Sequence, residues 1–208
     1  MSIPNDREHV LAALRTALQD LPERIARPEY PKTLSLSRLV DRPESTPELL
    51  RRTVAAVNGE VLSGWSSLAD YLRGKDCRLG YCDPVLWESF KPHCPADLEV
   101  ETVFQRERLD DYQFGITAAD GAIAETGTVI LTDGGTSSRL GALAPWVHVA
   151  VLDPANLFRT LPEAVERLGS DRNTIWVTGP SKTADVEGIL IEGVHGPCHQ
   201  AILLTGEG

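Results

Sequence analysis

The chain has 208 residues, 42% hydrophobic and 24% charged, which suffices for one packed core with a small extension and excludes global disorder. A formal net charge of −10 argues against nucleic acid or an anionic membrane surface as the main partner. The start, Met1-Ser-Ile-Pro-Asn-Asp6, shows no basic region followed by an apolar one, so no signal peptide and a cytoplasmic location are expected. The most apolar long window, Leu140 to Leu152, holds Pro145 and His148 and is too short to span a bilayer, so no membrane insertion is expected.

Residues Asp6 to Asp20 carry apolar residues at Val10, Leu11, Leu14, Ala17, Leu18 and Leu21, a helical stripe capped by Asn5 or Asp6. Pro22 to Pro47 is rich in proline, arginine and serine without sustained period and reads as an arm or linker. The spacing divides the chain into an N-terminal helix and proline-rich arm over 1–46 and an α/β domain over 47–208. That domain opens with a helix over Leu49 to Val57, entered through Thr46-Pro47 and stopped at Asn58-Gly59.

Strands and helices then alternate. Glu60 to Leu62, Arg78 to Cys82 and Leu98 to Phe104 read as strands; Ser66 to Arg73, Pro84 to Phe90 and Glu107 to Tyr112 read as helices or helical turns. Thr128 to Leu131 is a buried strand, Val147 to Leu152 a continuous apolar strand, and Asn156 to Leu168 an amphipathic helix. Thr174 to Thr178 is a strand, Thr183 to Glu192 a helix, and Ala201 to Leu204 the last strand. Near-continuous apolar strands alternating with helices predict a three-layer α/β/α fold around a mostly parallel sheet.

Ligands of such sheets bind beyond the carboxyl ends of the strands, which draws attention to two loops. The first belongs to the stretch from Gly115 to Arg139. It carries Asp120 and Glu125, candidate acid–base carboxylates, and Thr126, Gly127 and Thr128 before the buried strand. After the strand come Gly134, Gly135, Thr136, Ser137 and Arg139, where glycines admit close approach of a ligand and exposed N–H groups and hydroxyls bind anions. The second loop is Thr178-Gly-Pro-Ser-Lys-Thr-Ala-Asp185. There Ser181 and Thr183 can cap a helix, and free N–H groups near Gly179 together with Lys182 attract phosphate or carboxylate. With Arg139 these groups make an anion clamp, provided both loops open onto one pocket. Gly-Pro-Ser is also an ordinary strand-to-helix turn, and either carboxylate can serve as a cap or ion-pair partner.

Familiar cofactor motifs are missing. No glycine stands where a Walker loop needs one, at Trp176 and Ser181, and no strand is followed by the dinucleotide fingerprint. Cys77, Cys82, Cys94 and Cys198 are scattered without a C-x-x-C pair, so no metal and no bound cofactor is expected. His195, in His195-Gly-Pro-Cys-His199, is expected at the amino end of the sheet, opposite Lys182.

Gly115 to Leu131, Thr178 to Glu187 and Gly193-Val-His-Gly-Pro197 resemble the lactate-utilization (LUD) domain family, in its short, single-domain form. The resemblance is strong over the C-terminal half and weak before residue 100. It implies a fold like that of ribose-phosphate isomerases and CoA-transferases. It also implies a part in oxidising L-lactate to pyruvate beside iron–sulfur partner proteins; a small anionic metabolite as ligand is what the two loops themselves suggest. Cluster-bearing members have cysteine-rich ferredoxin-like segments, which this chain lacks. Ile116 to Asp120 and Asp133-Gly-Gly135 bear a fainter likeness to the aspartate and glycine-rich loops of ribose-phosphate isomerases. Asp120 matches one loop acid of that family, but Thr117 stands at the other and no lysine precedes Gly134. The alternatives are a stand-alone CoA-transferase or isomerase-like enzyme using Glu125 or Asp120, and a metabolite-sensing module using the same pocket.

Overall fold

A computed structural model describes residues 6–19, 43–132, 139–167, 173–184 and 188–206 of the chain. Two compact units result, 1–36 and 37–208. In the first, α1 (Asp6–Leu18) leaves Val10, Leu14 and Leu18 about half exposed, the stripe that the sequence spacing predicts.

The second unit begins with α2 (Thr46–Ala56). Its cap is Ser45, one residue ahead of the expected threonine, because Ser45 and Glu48 form a reciprocal capping box: the Ser45 backbone N–H donates to Glu48 Oε2 at 2.8 Å. Then follow β1 (Glu60–Ser63), α3 (Gly64–Gly74), β2 (Leu79–Cys82), α4 (Pro84–Phe90), β3 (Glu99–Glu101), β4 (Phe114–Ala118), β5 (Gly121–Ile123) and β6 (Thr128–Thr132). The chain continues through α5 (Arg139–Leu143), β7 (Val147–Leu152), β8 (Leu157–Phe158), α6 (Leu161–Arg167), β9 (Thr174–Thr178), β10 (Lys182–Thr183), β11 (Ile191–Glu192) and β12 (His199–Leu204).

Six strands in the order β1-β12-β7-β4-β2-β3 form the main sheet, and every neighbouring pair is parallel. The predicted α/β fold with a mostly parallel sheet is therefore present. Leu68 and Leu72 of α3 and Phe90 of α4 cover one face, against Phe114, Ile116, Val147, Val149 and Leu203. Leu49, Leu50 and Val54 of α2 and Ala142 of α5 cover the other, against Ala150, Leu152, Ile202 and Leu204.

The expected central strand lies elsewhere. β6 belongs to a second sheet, β8-β5-β6-β9, stacked on the α2 side through Ala122, Val129 and Leu131. Only four residues separate β5 from β6, enough for a hairpin but far short of the dozen or so that a parallel crossover requires. The remaining face of this sheet packs Ile123, Ile130 and Phe158 against Ala164 of α6.

Two predicted helices also change. The helix expected over Asn156 to Leu168 is split, because Leu157 and Phe158 pair with Ala122 and Ile123 and only Leu161–Arg167 remains helical. The helix expected over Thr183 to Glu192 is replaced by an antiparallel pair, Lys182 with Glu192 and Thr183 with Ile191. Gly188 and Gly193 at φ +71° and +79° break the helical pattern there. Among the described residues no helix is long and apolar enough to cross a membrane.

A polar line crosses the centre of the main sheet. His148 on β7 is fully buried, with Nε2 at 2.8 Å from Thr117 Oγ1 on β4 and Nδ1 at 2.8 Å from Gln200 Oε1 on β12. Burial pushes its imidazole down to about 4, opposed by Gln200 and by the Asp83 carboxylate. The unfolded chain takes up this proton near pH 6.5, and the folded chain refuses it until about pH 4. The stabilising contribution is thus complete above pH 6.5 and falls by roughly 3 kcal/mol as pH drops through that window. Urea midpoints measured from pH 7 to 4 should show this slope, and a His148→Gln variant should flatten it.

Candidate site at the carboxyl edge of the parallel sheet

From β2 the chain moves outward to the edge strand β3, and from β4 it moves the other way to β7. The carboxyl ends of β2 and β4 therefore flank a switch point, where open α/β sheets leave a crevice.

Two carboxylates stand there. Asp83 follows β2 and is fully buried; its Oδ1 accepts the Tyr81 hydroxyl at 2.6 Å and its Oδ2 the Ala118 N–H at 2.8 Å. A buried carboxylate survives only with such donors. Asp120 fills the corner between β4 and β5. Its own N–H donates to the Ile130 carbonyl at 3.0 Å, and its Oδ2 accepts the Thr132 N–H at 2.7 Å. Its second oxygen has no hydrogen-bond partner among the described residues.

Arg139 opens α5 and is exposed. Close backbone contact seats this short helix: a Cβ on Gly115 of β4 would lie 1.7 Å from the Gly141 carbonyl oxygen, and one on Gly141 would lie 2.4 Å from the Tyr81 ring. Next to Arg139, Leu140 lines a cleft of about 370 Å³ with Tyr81, Pro84, Thr102, Val103, Phe104 and Arg106. A second cleft, of about 350 Å³, lies beyond the ends of β1 and β12, between Ser63, Trp65, His93 and Thr205.

The other predicted residues gather at the opposite end of the second sheet. β6 and β9 are antiparallel, with Thr128 facing Thr178 and Thr132 facing Thr174. The Asp133 segment therefore leaves one end of the pair and the Gly179 bend leaves the other, roughly 13 Å apart at four residues of strand. Gly134, Gly135, Thr136 and Ser137 lie outside the described residues, so their share of a common pocket rests on sequence alone.

At the Gly179 end the contacts are structural. The Thr126, Thr128 and Thr178 hydroxyls form a chain with spacings of 2.7 and 2.8 Å. Gly127 has φ +67° and abuts Val54 of α2, while buried Gly179 abuts Val57. The Lys182 ammonium donates to the Val57 carbonyl at 3.0 Å and sits 3.5 Å from Glu192, capping the end of α2. Ser181 and Thr183 cap no helix, since a hairpin strand replaces it; Ser181 instead exchanges backbone bonds with Gly193 and Pro197. This corrects the expected position of His195, whose segment runs beside Ser181 rather than opposite Lys182.

Glu125 is also at this end. Its Oε1 accepts the Leu161 N–H at 2.6 Å, at the start of α6, and its Oε2 is buried without a partner among the described residues. Glu125 and Asp120 thus occupy opposite ends of the β5–β6 hairpin. Sequence reasoning missed Tyr81, Asp83 and Arg106. In Cys82-Asp83-Pro84 the aspartate resembles an ordinary helix cap, and its signal was its place directly after an apolar strand.

No group of three His, Cys, Asp or Glu residues among those described could hold a metal ion. Burial pushes the Cys77 thiol up to about 11 and the Cys82 thiol up to about 12, far from the thiolate form that ligates metals.

A family model for the LUD domain matches residues 88–205, more than half of the chain. Lactate utilization protein C of Halalkalibacterium halodurans is 35% identical over 109 residues, covering 48% of this chain and 46% of that protein. The protein of that name from Deinococcus radiodurans is 32% identical over 114 residues, covering 52% and 54%. The match thus spans about half the length of these relatives. A third, from Macrococcus caseolyticus, is 27% identical over 224 residues, with 91% and 90% covered. In three dimensions the chain is similar to a DUF162 family protein from Deinococcus radiodurans, with TM-score 0.56 and 21% identity over 78% of this chain and 99% of that one.

Proposed function

The chain belongs to the LUD domain family, and from that premise we propose that it serves lactate utilization as a ligand-binding component, holding a small α-hydroxy or α-keto acid at the carboxyl edge between β2 and β4. The name shared by the relatives supports the pathway. The observation that carries the location is Asp120: one carboxylate oxygen is fixed by the Thr132 N–H and the other has no partner among the described residues, at the switch point of a parallel sheet.

An α-hydroxy acid needs an acceptor for its hydroxyl and a cation for its carboxylate. Asp120 supplies the first, and the Arg139 guanidinium at the head of α5 supplies the second. Lys182 is left out of this arrangement because it lies at the opposite end of the β6–β9 pair, where it caps α2 through the Val57 carbonyl. Oxidation of lactate releases two electrons, and the scattered cysteines of this chain offer no cluster site for them. The electrons therefore pass to iron–sulfur partner proteins, which the chain joins as a subunit without redox chemistry of its own.

The test is complementation. A Deinococcus radiodurans strain deleted for its lactate utilization protein C should regain growth on L-lactate when this chain is expressed, and the chain should co-purify with iron–sulfur proteins. Normal expression with neither growth nor co-purification would overturn the reading.

A further inference from the structure

We propose that the cleft over Tyr81 binds an organic anion with an aromatic or branched apolar body, anchored by Arg106, and that a three-carbon acid is too small to fill it. The inference rests on this cleft and needs nothing from the assignment at Asp120.

The electrostatics single out one cation. Arg106 and Arg108 open the same 3-10 turn, Arg106–Asp111. Arg108 takes the nearby acids, Glu101 at 2.6 Å and Asp111 at 3.0 Å. Glu101 also accepts the Tyr112 hydroxyl. Arg106 has no hydrogen bond and no ion pair among the described residues, although the chain carries a net charge of −10. A guanidinium on a cleft wall with no carboxylate of its own is a ready partner for a bidentate anion.

Apart from Thr102 and the Tyr81 hydroxyl, the rest of the wall is apolar and firm. Val103 is 73% exposed, a large apolar side chain left facing solvent at the mouth. Phe104 is held edge-on against Tyr81 at 5.5 Å and tilted against Tyr112 at 4.7 Å, so its ring offers a fixed flat surface. Leu140 and Pro84 close the sides. At about 370 Å³ the cleft is in the range of small-molecule sites. A six-heavy-atom acid would occupy only roughly half of it, taking about 30 Å³ per water-sized volume. Apolar wall with one cation at the rim matches a monoanion whose body is ring-like or branched.

Isothermal titration calorimetry on the full chain tests this with three probes: 3-phenyllactate, L-lactate and inorganic phosphate. The expected result is that 3-phenyllactate binds at least about tenfold more tightly than either of the others. Arg106→Gln, at an exposed position, should weaken 3-phenyllactate about tenfold without moving Tm, and Phe104→Leu should weaken it while leaving phosphate unchanged. Equal affinity for L-lactate and 3-phenyllactate, absence of 3-phenyllactate binding, or undiminished binding by Arg106→Gln would each overturn the inference. Growth on L-lactate restored by a chain that fails to bind 3-phenyllactate would overturn the cleft assignment and leave the pathway role standing. Binding without restored growth would do the reverse.

Discussion

Gly115→Ala is expected to lower stability by more than about 3 kcal/mol, with Tm falling by roughly 10 °C, and to abolish ligand binding at the carboxyl edge. The added Cβ would meet the Gly141 carbonyl oxygen at 1.7 Å, a backbone atom that no side-chain rotation can remove. To accept it, α5 must lift from β4 by more than an ångström. That movement opens the packing of Ala142 against Ala150 and carries Arg139 with it. Gly74→Ala is the control. A Cβ there meets nothing within 4 Å, and the position closes helix α3, so the change should be neutral or slightly stabilising. Urea denaturation of both variants checks the prediction. Equal midpoints would mean that the β4–α5 contact is not the tight one described.

Asp83→Ala is expected to cost about 4 kcal/mol, close to 2 for each donor left buried without an acceptor. Those donors are the hydroxyl of buried Tyr81 and the N–H of half-buried Ala118, and Asp83 itself has no exposed surface. Asp83→Asn should separate structure from chemistry. The amide keeps one acceptor oxygen for Ala118, and Tyr81 can turn its hydroxyl to accept, so most of the stability should return. The negative charge does not return. If Asp83 only fastens β2 to β4, the Asn variant will bind ligand like the parent. If its charge orients the groups of the crevice, the variant will be folded and weakened in binding by tenfold or more.

Five strands of the main sheet were legible, three of them as short apolar runs, whereas β4 (Phe114–Ala118) went unseen at the head of the glycine-rich stretch. Val147 to Leu152 and Ala201 to Leu204 are buried at every position, and Leu79 to Cys82 nearly so. Sequence pattern could not separate the two sheets. Thr128 to Thr132 is as buried as any central strand, yet it belongs to a hairpin whose first arm, Gly121-Ala-Ile123, is too short to carry a period. The Lys182 bend was misread for a definite reason: Gly-Pro-Ser-Lys-Thr carries a helix-start signal, and the pairing with Ile191 and Glu192 outweighs it. Of the candidate site, Asp120 and Arg139 were visible as polar residues around a buried strand. Asp83 was hidden in a capping position, and Arg106 becomes distinctive only when Arg108 is seen to take the neighbouring acids. Family resemblance reached the C-terminal half through the residues that form the β5–β6 hairpin and its neighbours. In the fold those residues surround both ends of the hairpin, and only the Asp120 end faces the switch point.

The most direct test compares two folded variants in the complemented strain, Asp120→Asn at the crevice and Lys182→Met at the far end of the second sheet. Growth rate on L-lactate is the measurement, with expression and Tm matched beforehand. Asn at 120 still accepts the Thr132 N–H, so the prediction is a folded chain with growth reduced tenfold or more, while Lys182→Met grows like the parent after a small loss of stability. Full growth with Asp120→Asn and failure with Lys182→Met would move the functional centre to the other end of the hairpin and contradict the account.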